Sequence, residues 1–378
     1  MLTSFFIALL TVLPAAAQYF PPPGPIWKKS TDGFDRKKLQ AALAFAQQHG
    51  SGWDFAKDQV RVFGKPLGPV PASRAATNMM ILRDGLLVAE FGDTAAVDPI
   101  YSAAKSFLSM VCGLAVDRSL IGKAQDQVRL TVKDGGYSSP HNAMVSWEHH
   151  LRQTSEWEGV MWAKKHDFVG HEEFGAGERK PRTLQDPGTH YEYNDVRVNR
   201  LSLSLLRLFG EPLGDVLRKN IMDPIGASNT WTWHGYRNSI VNINGREIAS
   251  VPGGTRWGGG LWMNTRDLAR VGLMVMRNGE WNGRRVLSEK WLNESVQSSP
   301  IGPDYGYLWW LNTKDSWPAA PKSSFAAIGA GNNTIWIDPE HDLVVVWRWH
   351  KPDSQAEFYK RILAAIPANR EPAPAPSK

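Results

Sequence analysis

Ser102 and Lys105 stand three residues apart in Tyr101-Ser102-Ala103-Ala104-Lys105. The run that follows, Phe107, Leu108, Met110, Val111, Leu114, Ala115 and Val116, has the spacing of a helix buried around most of its circumference. On the first turn of such a helix residues three apart share a face, so the lysine amine can reach back over the serine hydroxyl. A hydroxyl is a weak nucleophile until a neighbour takes its proton, and an amine takes it only when uncharged. The ordinary lysine value of about 10.4 would have to fall by roughly 3, a differential of about 4 kcal/mol, through burial or a nearby positive charge. Unpaired N–H groups at the start of the helix could hold an oxyanion. A helix-capping serine and an exposed lysine satisfy the same positions, and a chain of this length yields roughly one or two such matches by chance. This match is the only Ser-x-x-Lys in the chain, and it opens a core helix.

Two further stretches could complete the chemistry. Pro187 to Asp195 forms a loop ahead of an apolar helix, and Tyr193 within it is a candidate proton carrier between a lysine and a leaving group. Taken alone, such a tyrosine is equally a packed aromatic with a satisfied hydroxyl. Phe325 to Gly331 enters a late strand, and its small residues, Gly329 and Ala330 among them, would let a backbone N–H approach a reacting carbonyl. A turn at a sheet edge has the same composition.

The elements that must position these residues follow from periodicity. Leu39, Leu43 and Phe45 predict a helix over 35–49, stopped by Gly50. Residues 77–82 and 86–91 are apolar runs split by Arg83-Asp84-Gly85, a hairpin signature. Helical patterns then dominate: the core helix, 146–153, 195–209 and 213–222. A helix over 265–277, started by Thr265 and Asp267, precedes strands over 307–311, 333–337 and 343–349 and a closing helix over 356–366. Strands at both ends and helices between predict an α+β fold. Its one antiparallel sheet, over 34–100 and 251–366, is flanked by terminal helices and interrupted by a mainly helical domain over 101–250, with a cleft where the two meet. Residues 18–33 read as an extended proline-rich segment and 367–378 as a tail whose alternating Pro and Ala cannot bury a core.

Composition narrows the function class. The net charge of +6 is mild for 378 residues, and no basic aromatic strip accompanies it, so nucleic-acid recognition is not expected. Residues 1–17 carry no charged side chain and hold an apolar core from Phe5 to Leu13 before Ala15-Ala16-Ala17. That pattern predicts a secretory signal with a small-residue cleavage site, hence a secreted or periplasmic protein without stable membrane insertion once it is cleaved; a retained anchor is the alternative. The lone Cys112 lies in the core helix and reads as an inert buried thiol. His149-His150, His166 and His171-Glu172-Glu173 lack any metal-ligand spacing, so no metal is expected. The clusters Gly253-Gly254 and Gly258 to Gly260 lack the lysine and hydroxyl of a phosphate loop, and no Gly-x-Ser-x-Gly elbow occurs.

In order, Ser102-x-x-Lys105, Tyr193-x-Asp195 and Ala327-Ile328-Gly329 resemble the three motifs of the serine β-lactamase and penicillin-binding-protein superfamily. The likeness is greatest to its class C branch, with its esterases, D-amino-acid peptidases and 6-aminohexanoate-dimer hydrolases. It extends from Phe34 to Ile366, through Met222-Asp223-Pro224-Ile225-Gly226, Gly258 to Trp262, Asp267-Leu268-Ala269-Arg270 and Trp336-Ile337-Asp338-Pro339. The resemblance implies a β-lactamase-like fold and a hydrolase that needs no cofactor. Ser102 would be the acylated nucleophile, Lys105 its base and Tyr193 the proton shuttle, with an oxyanion hole from the N–H groups of Ser102 and Ala330. The substrate would be a small ester, amide or short peptide.

Two departures from the pattern bear on substrate. Ala327 and Ile328 stand where β-lactam enzymes usually place a lysine and a hydroxyl, so a charge-assisted hydrogen bond worth about 1.5–3 kcal/mol to an anionic substrate is missing. Asp195 stands where the pattern usually has asparagine, and an ionised carboxylate beside Lys105 would favour the charged amine. Asp195 could turn away, meet a substrate N–H, or pair with an arginine such as Arg197. Gly329 and Asp195, with tryptophans from the set Trp157, Trp162, Trp231, Trp233, Trp257, Trp262, Trp309 and Trp310, are candidates for substrate contact, Trp262 and Trp309 foremost. A carboxylesterase or amidase is expected. A β-lactamase or D,D-peptidase, and a non-catalytic binding protein of the same fold, are the alternatives.

Overall fold

A computed structural model describes residues 18–168 and 182–367. The expected signal over 1–17, the triplet His171-Glu172-Glu173 and all but the first residue of the expected tail lie outside them. Helix α1 (Arg36–Gln48) starts at Asp35, whose carboxylate accepts from the amides of Lys37 and Lys38 at 2.9 and 3.1 Å. Helix α2 (Phe55–Phe63), which was not expected, follows and is capped by Asp54, whose carboxylate accepts from the Lys57 amide at 3.0 Å. Strands β1 (Asn78–Arg83) and β2 (Leu86–Phe91) form the expected hairpin. Asp84 and Gly85 both take positive φ, 53° and 79°, the primed turn whose twist matches the strands it joins.

A short strand, β3 (Asp98–Pro99), leads into α3 (Ala104–Asp117), and α4 (Trp147–Leu151), α5 (Asp195–Phe209) and α6 (Leu213–Leu217) make up the helical region. Then come β4 (Thr232–His234), β5 (Gly260–Met263), α7 (Thr265–Met276), α8 (Glu289–Ser295), β6 (Trp310–Leu311), β7 (Phe325–Gly329), β8 (Asn333–Asp338), β9 (Leu343–Arg348) and α9 (Gln355–Ala364). The large sheet is antiparallel throughout, in the spatial order β6-β7-β8-β9-β1-β2. Its centre joins both ends of the chain, with Asn78 opposite Arg348 and Arg83 opposite Leu343.

Alternation along the strands decides which helix covers which face. Met79, Ile81, Val345 and Trp347 point to α1 and α9, against Leu39, Ala42, Phe358 and Ile362. Met80, Leu82, Val344, Val346 and Ile335 point to the other face, where α7 packs with Leu268 and Val271. Each such side chain contributes about 1.5–3 kcal/mol on burial, so the sheet is held from both sides.

The α+β architecture is as expected, with local corrections. Asn264, not Thr265, caps α7, accepting from the Asp267 amide at 2.7 Å. The strand expected over 307–311 shrinks to Trp310–Leu311 because Leu308 takes a φ of 60° and its carbonyl accepts from the Ser106 hydroxyl at 2.7 Å. The proline-rich segment is docked on α7, where buried Arg270 donates to the carbonyls of Pro21, Pro22 and Gly24.

Candidate active site

Ser102 sits on a tight 3-10 turn, Tyr101–Ala103, that runs directly into α3. The turn is fixed from both ends. Upstream, buried Arg348 donates to the carbonyls of Met263, Asp98 and Pro99 at 2.6, 3.1 and 3.0 Å, tying β3 to β5 just before Ile100. Downstream, residues Ala104 to Ala115 of α3 are all buried, so the turn cannot slide along the helix axis. Tyr101, immediately before the serine, has a φ of 51°, a sparsely populated conformation for a bulky residue. Its ring is buried among Phe55, Phe63 and Trp349, and its hydroxyl donates to Gln59 at 2.9 Å. That packing over-determines the strained residue.

Lys105 is buried, and its Nζ donates to Ser102 Oγ at 2.9 Å. The same nitrogen lies 2.5 Å from Asp195 Oδ1 and 4.7 Å from the centre of the Tyr193 ring. Asp195 is the first residue of α5, where the helix dipole favours a negative charge, and Asn194 caps that helix by accepting from the Arg197 amide at 3.0 Å. The cap fixes the start of the helix between Tyr193 and Asp195, both of which contact Lys105. The structure therefore brings together Ser102, Lys105, Tyr193 and Asp195.

The charge state of Lys105 departs from the expectation. Burial would drive the amine toward neutrality, but the Asp195 carboxylate outweighs it, helped by Tyr193, and the net displacement is upward. Burial likewise opposes ionisation of Asp195, yet Lys105 and Arg256 hold it down at about 2. The resting centre is an ion pair.

Asp195 does pair with an arginine, but not with Arg197. Its Oδ2 accepts from Arg256 Nη1 at 3.2 Å. Arg197 instead meets Glu156 and Glu192 at 2.7 and 3.2 Å, and Arg182 reaches the same two carboxylates at 2.6 and 3.0 Å. This quartet braces the loop that presents Tyr193.

Gly254 was also missed from sequence. A Cβ built on it would lie 3.4 Å from Lys105 Nζ and 3.5 Å from both Asp195 Oδ1 and Ser102 Oγ, so its missing side chain leaves open the space that faces the reacting atoms. One signal could have found Arg256 and Gly254. Both sit in the glycine-rich stretch dismissed as a failed phosphate loop, and its one cation matches the unusual carboxylate at 195.

Gly329, expected to contact substrate, abuts the nucleophile turn, where a Cβ would stand 2.0 Å from the Ile100 carbonyl oxygen. Ala330 follows it in the turn after β7, packed against the aromatic cluster around Tyr101, with its carbonyl accepting from Asn333 at 2.8 Å. Trp309 is a correction: it is buried in the core against Phe325. Its neighbour Trp310 is the tryptophan at the site, stacked on Tyr193 with centroids 5.6 Å apart. Trp262 meets His234 edge-on and donates to the Gly259 carbonyl at 2.9 Å, contacts that lie along β4 and the entry to β5. Among the described residues no cluster of three or more His, Cys, Asp or Glu side chains could hold a metal, and no helix is long and apolar enough to cross a membrane.

A family model described as Beta-lactamase matches residues 93–368. A stretch of 112 residues, 26% of this chain, is 29% identical to the 6-aminohexanoate-dimer hydrolase of Paenarthrobacter ureafaciens, and it spans 27% of that protein's length. A penicillin-binding protein homolog from Caulobacter crescentus matches in structure at a TM-score of 0.59 and 14% identity, over 88% of this chain and 99% of that one. A family VIII carboxylesterase matches at 0.58 and 15%, over 89% and 99%. At these identities the structural likeness concerns the fold.

Proposed function

This chain belongs to the β-lactamase family of serine hydrolases, and on that footing we propose that it hydrolyses a carboxylic ester or an amide through an acyl-enzyme on Ser102. The observation that carries the proposal is the 2.9 Å contact from Lys105 Nζ to Ser102 Oγ beneath the Tyr193 ring. In the fraction of enzyme with a neutral amine, Lys105 takes the Ser102 proton as Oγ bonds to the substrate carbonyl carbon. The carbonyl π pair becomes an oxyanion, for which the N–H groups of Ser102 and Ala330 are the proposed donors. Collapse breaks the bond to the leaving oxygen or nitrogen, which receives the proton from Lys105 by way of the Tyr193 hydroxyl. Water then attacks the serine ester, its proton passing back through the same groups, and the acid leaves as Ser102 regains its hydrogen.

The absence of a third-motif lysine at Ala327 and Ile328 supports an ester or linear amide over a β-lactam, because nothing at these two positions can pair a substrate carboxylate. The uncharged apolar stretch from Phe5 to Leu13 supports export from the cytoplasm.

Incubation with a fluorophosphonate followed by intact-mass analysis tests the proposal. A single adduct, lost in Ser102→Ala, is expected, together with faster turnover of a short-chain nitrophenyl ester than of a chromogenic cephalosporin. No adduct, or one that survives Ser102→Ala, removes the acyl-enzyme. Preferential cephalosporin turnover reassigns the substrate to the β-lactams.

A further inference from the structure

We propose that Arg256 is a positioning residue that offsets the charge of Asp195 and thereby sets the pH at which Lys105 becomes a base. The inference rests on the acyl-enzyme reading above and concerns a side chain that touches none of the reacting atoms.

Asp195 lies between two cations, Lys105 at 2.5 Å on Oδ1 and Arg256 at 3.2 Å on Oδ2. The Arg256 guanidinium is 9% exposed and lies 5.3 Å from the ring centres of Phe168 and Trp257. Its Nε and Nη2 have no hydrogen-bond partner among the described residues. An arginine buried to make a stable ion pair would present its fork to both carboxylate oxygens. Among the described residues this one makes a single hydrogen bond to the carboxylate and leaves Oδ1 to the lysine. Its value as a structural bridge is low, because desolvation of a buried guanidinium is costly and two of its nitrogens find no partner among the described residues.

Its placement is nevertheless controlled. Gln59 donates to the Arg256 carbonyl at 2.7 Å and accepts from the Tyr101 hydroxyl at 2.9 Å, which registers Arg256 to the residue before the nucleophile. Lys105 otherwise faces Ser102 and the phenol of Tyr193, and Asp195 feels Tyr236 and Tyr305. Burial pushes both of those phenols up, so they are neutral.

Among the described residues the charged groups of this cluster are Lys105, Asp195 and Arg256, with the Lys164 ammonium on the same two rings, 4.8 Å from Phe168 and 5.1 Å from Trp257. A lysine and a carboxylate alone would form a neutral pair that locks the proton on the amine. With Arg256 the trio carries a net positive charge, as a lysine beside a neutral amide would. Arg256 thus returns part of the electropositive surroundings that an aspartate at position 195 removes, while the net displacement of Lys105 stays upward.

The test is the pH dependence of the second-order rate at which a fluorophosphonate labels Ser102. It is measured in the wild type, Arg256→Gln, Arg256→Lys, Asp195→Asn and the double variant Asp195→Asn/Arg256→Gln. Arg256→Gln should move the acid limb upward by roughly one pH unit and Asp195→Asn should move it downward, each following the sign of the charge removed. Arg256→Lys, which keeps the charge, should leave the limb near the wild-type position. The double variant should lie about one unit above Asp195→Asn, a comparison that holds even where Arg256→Gln alone does not fold. A merely structural arginine would lower stability without moving the limb, and an unmoved limb in a labelled enzyme overturns the inference while leaving the acyl-enzyme intact. Failure of the wild type to label at all overturns both.

Discussion

Two glycines at the site should respond oppositely to the same added methyl group. At Gly329 the new Cβ would stand 2.0 Å from the Ile100 oxygen and 3.0 Å from the Ala103 nitrogen, so the closer approach falls about 1.4 Å short of ordinary contact. Both neighbours are backbone, and neither can rotate away. Relief requires the end of β7 to lift or the 101–103 turn to move, and either separates Ser102 from Ala330. Overpacking of this kind costs about 1–3 kcal/mol. A displacement near 1 Å at the nucleophile costs roughly a hundredfold in rate. At Gly254 the Cβ would meet Lys105, Asp195 and Ser102 at 3.4 to 3.5 Å, all ordinary contacts. Folding should be unaffected there, within about 0.5 kcal/mol, while the methyl group fills the space a carbonyl or water must enter. Calorimetry and nitrophenyl ester kinetics are measured side by side on both variants. Gly329→Ala should lose melting temperature and kcat/KM together, and Gly254→Ala should keep the first and lose about a hundredfold or more of the second. Wild-type stability in Gly329→Ala would refute the packing argument, and wild-type turnover in Gly254→Ala would place the reacting space elsewhere.

The adjacent tryptophans should separate in the same way. Trp309→Ala should cost about 3–5 kcal/mol of stability by leaving a core cavity, whereas Trp310→Ala should lower kcat with a smaller change in melting temperature, because it frees the Tyr193 ring. Glu156 provides a pH test. Burial pushes it up, but Arg182 and Arg197 hold its carboxyl down at about 2, so its contribution is present above the ordinary value of about 4.3 and is lost as pH falls toward about 2. Glu156→Gln should melt lower at neutral pH, by the equivalent of about 3–5 kcal/mol, and show a flatter melting curve across that acid window. Because Asp195 raises Lys105 above its ordinary value, the neutral amine appears only as pH climbs. Rates of ester hydrolysis should therefore keep rising from neutral into alkaline solution, and a plateau reached at neutral pH would contradict the ion pair.

Much of the scaffold was legible because local rules sufficed. The Asp84-Gly85 turn announced its hairpin, and the helix expected over 195–209 is the helix observed, with its asparagine cap and its glycine stop at Gly210. The Ser102 to Lys105 pair was legible because helical spacing alone places an amine over a hydroxyl. What escaped depended on long-range partners or on a choice of face. Arg197 was a poor choice of partner for Asp195 on geometric grounds, since residues two apart on a helix do not share a face, and it points to Glu156 instead. Trp309 and Trp310 are neighbours at the start of β6, one buried against Phe325 and the other stacked on Tyr193, and composition could not say which.

The protonation of Lys105 was the least legible property because no local sequence window contains its causes. The spacing of Ser102 and Lys105 pointed to a neutral amine and the aspartate at 195 to a charged one, and only the 2.5 Å contact with that carboxylate, 90 residues later in the chain, decides between them. That carboxylate is in turn moderated by an arginine on a third segment. A buried lysine and aspartate left to themselves would form a stable and chemically inert pair, and a buried lysine without the aspartate would be a ready base with little to hold it in place. The centre lies between these extremes: Asp195 orients the amine over Ser102, and Arg256 limits how firmly the proton is held. On the proposed mechanism the residue that tunes the base is therefore set apart from the residues that act on substrate, and a search for motifs along the chain finds only the latter.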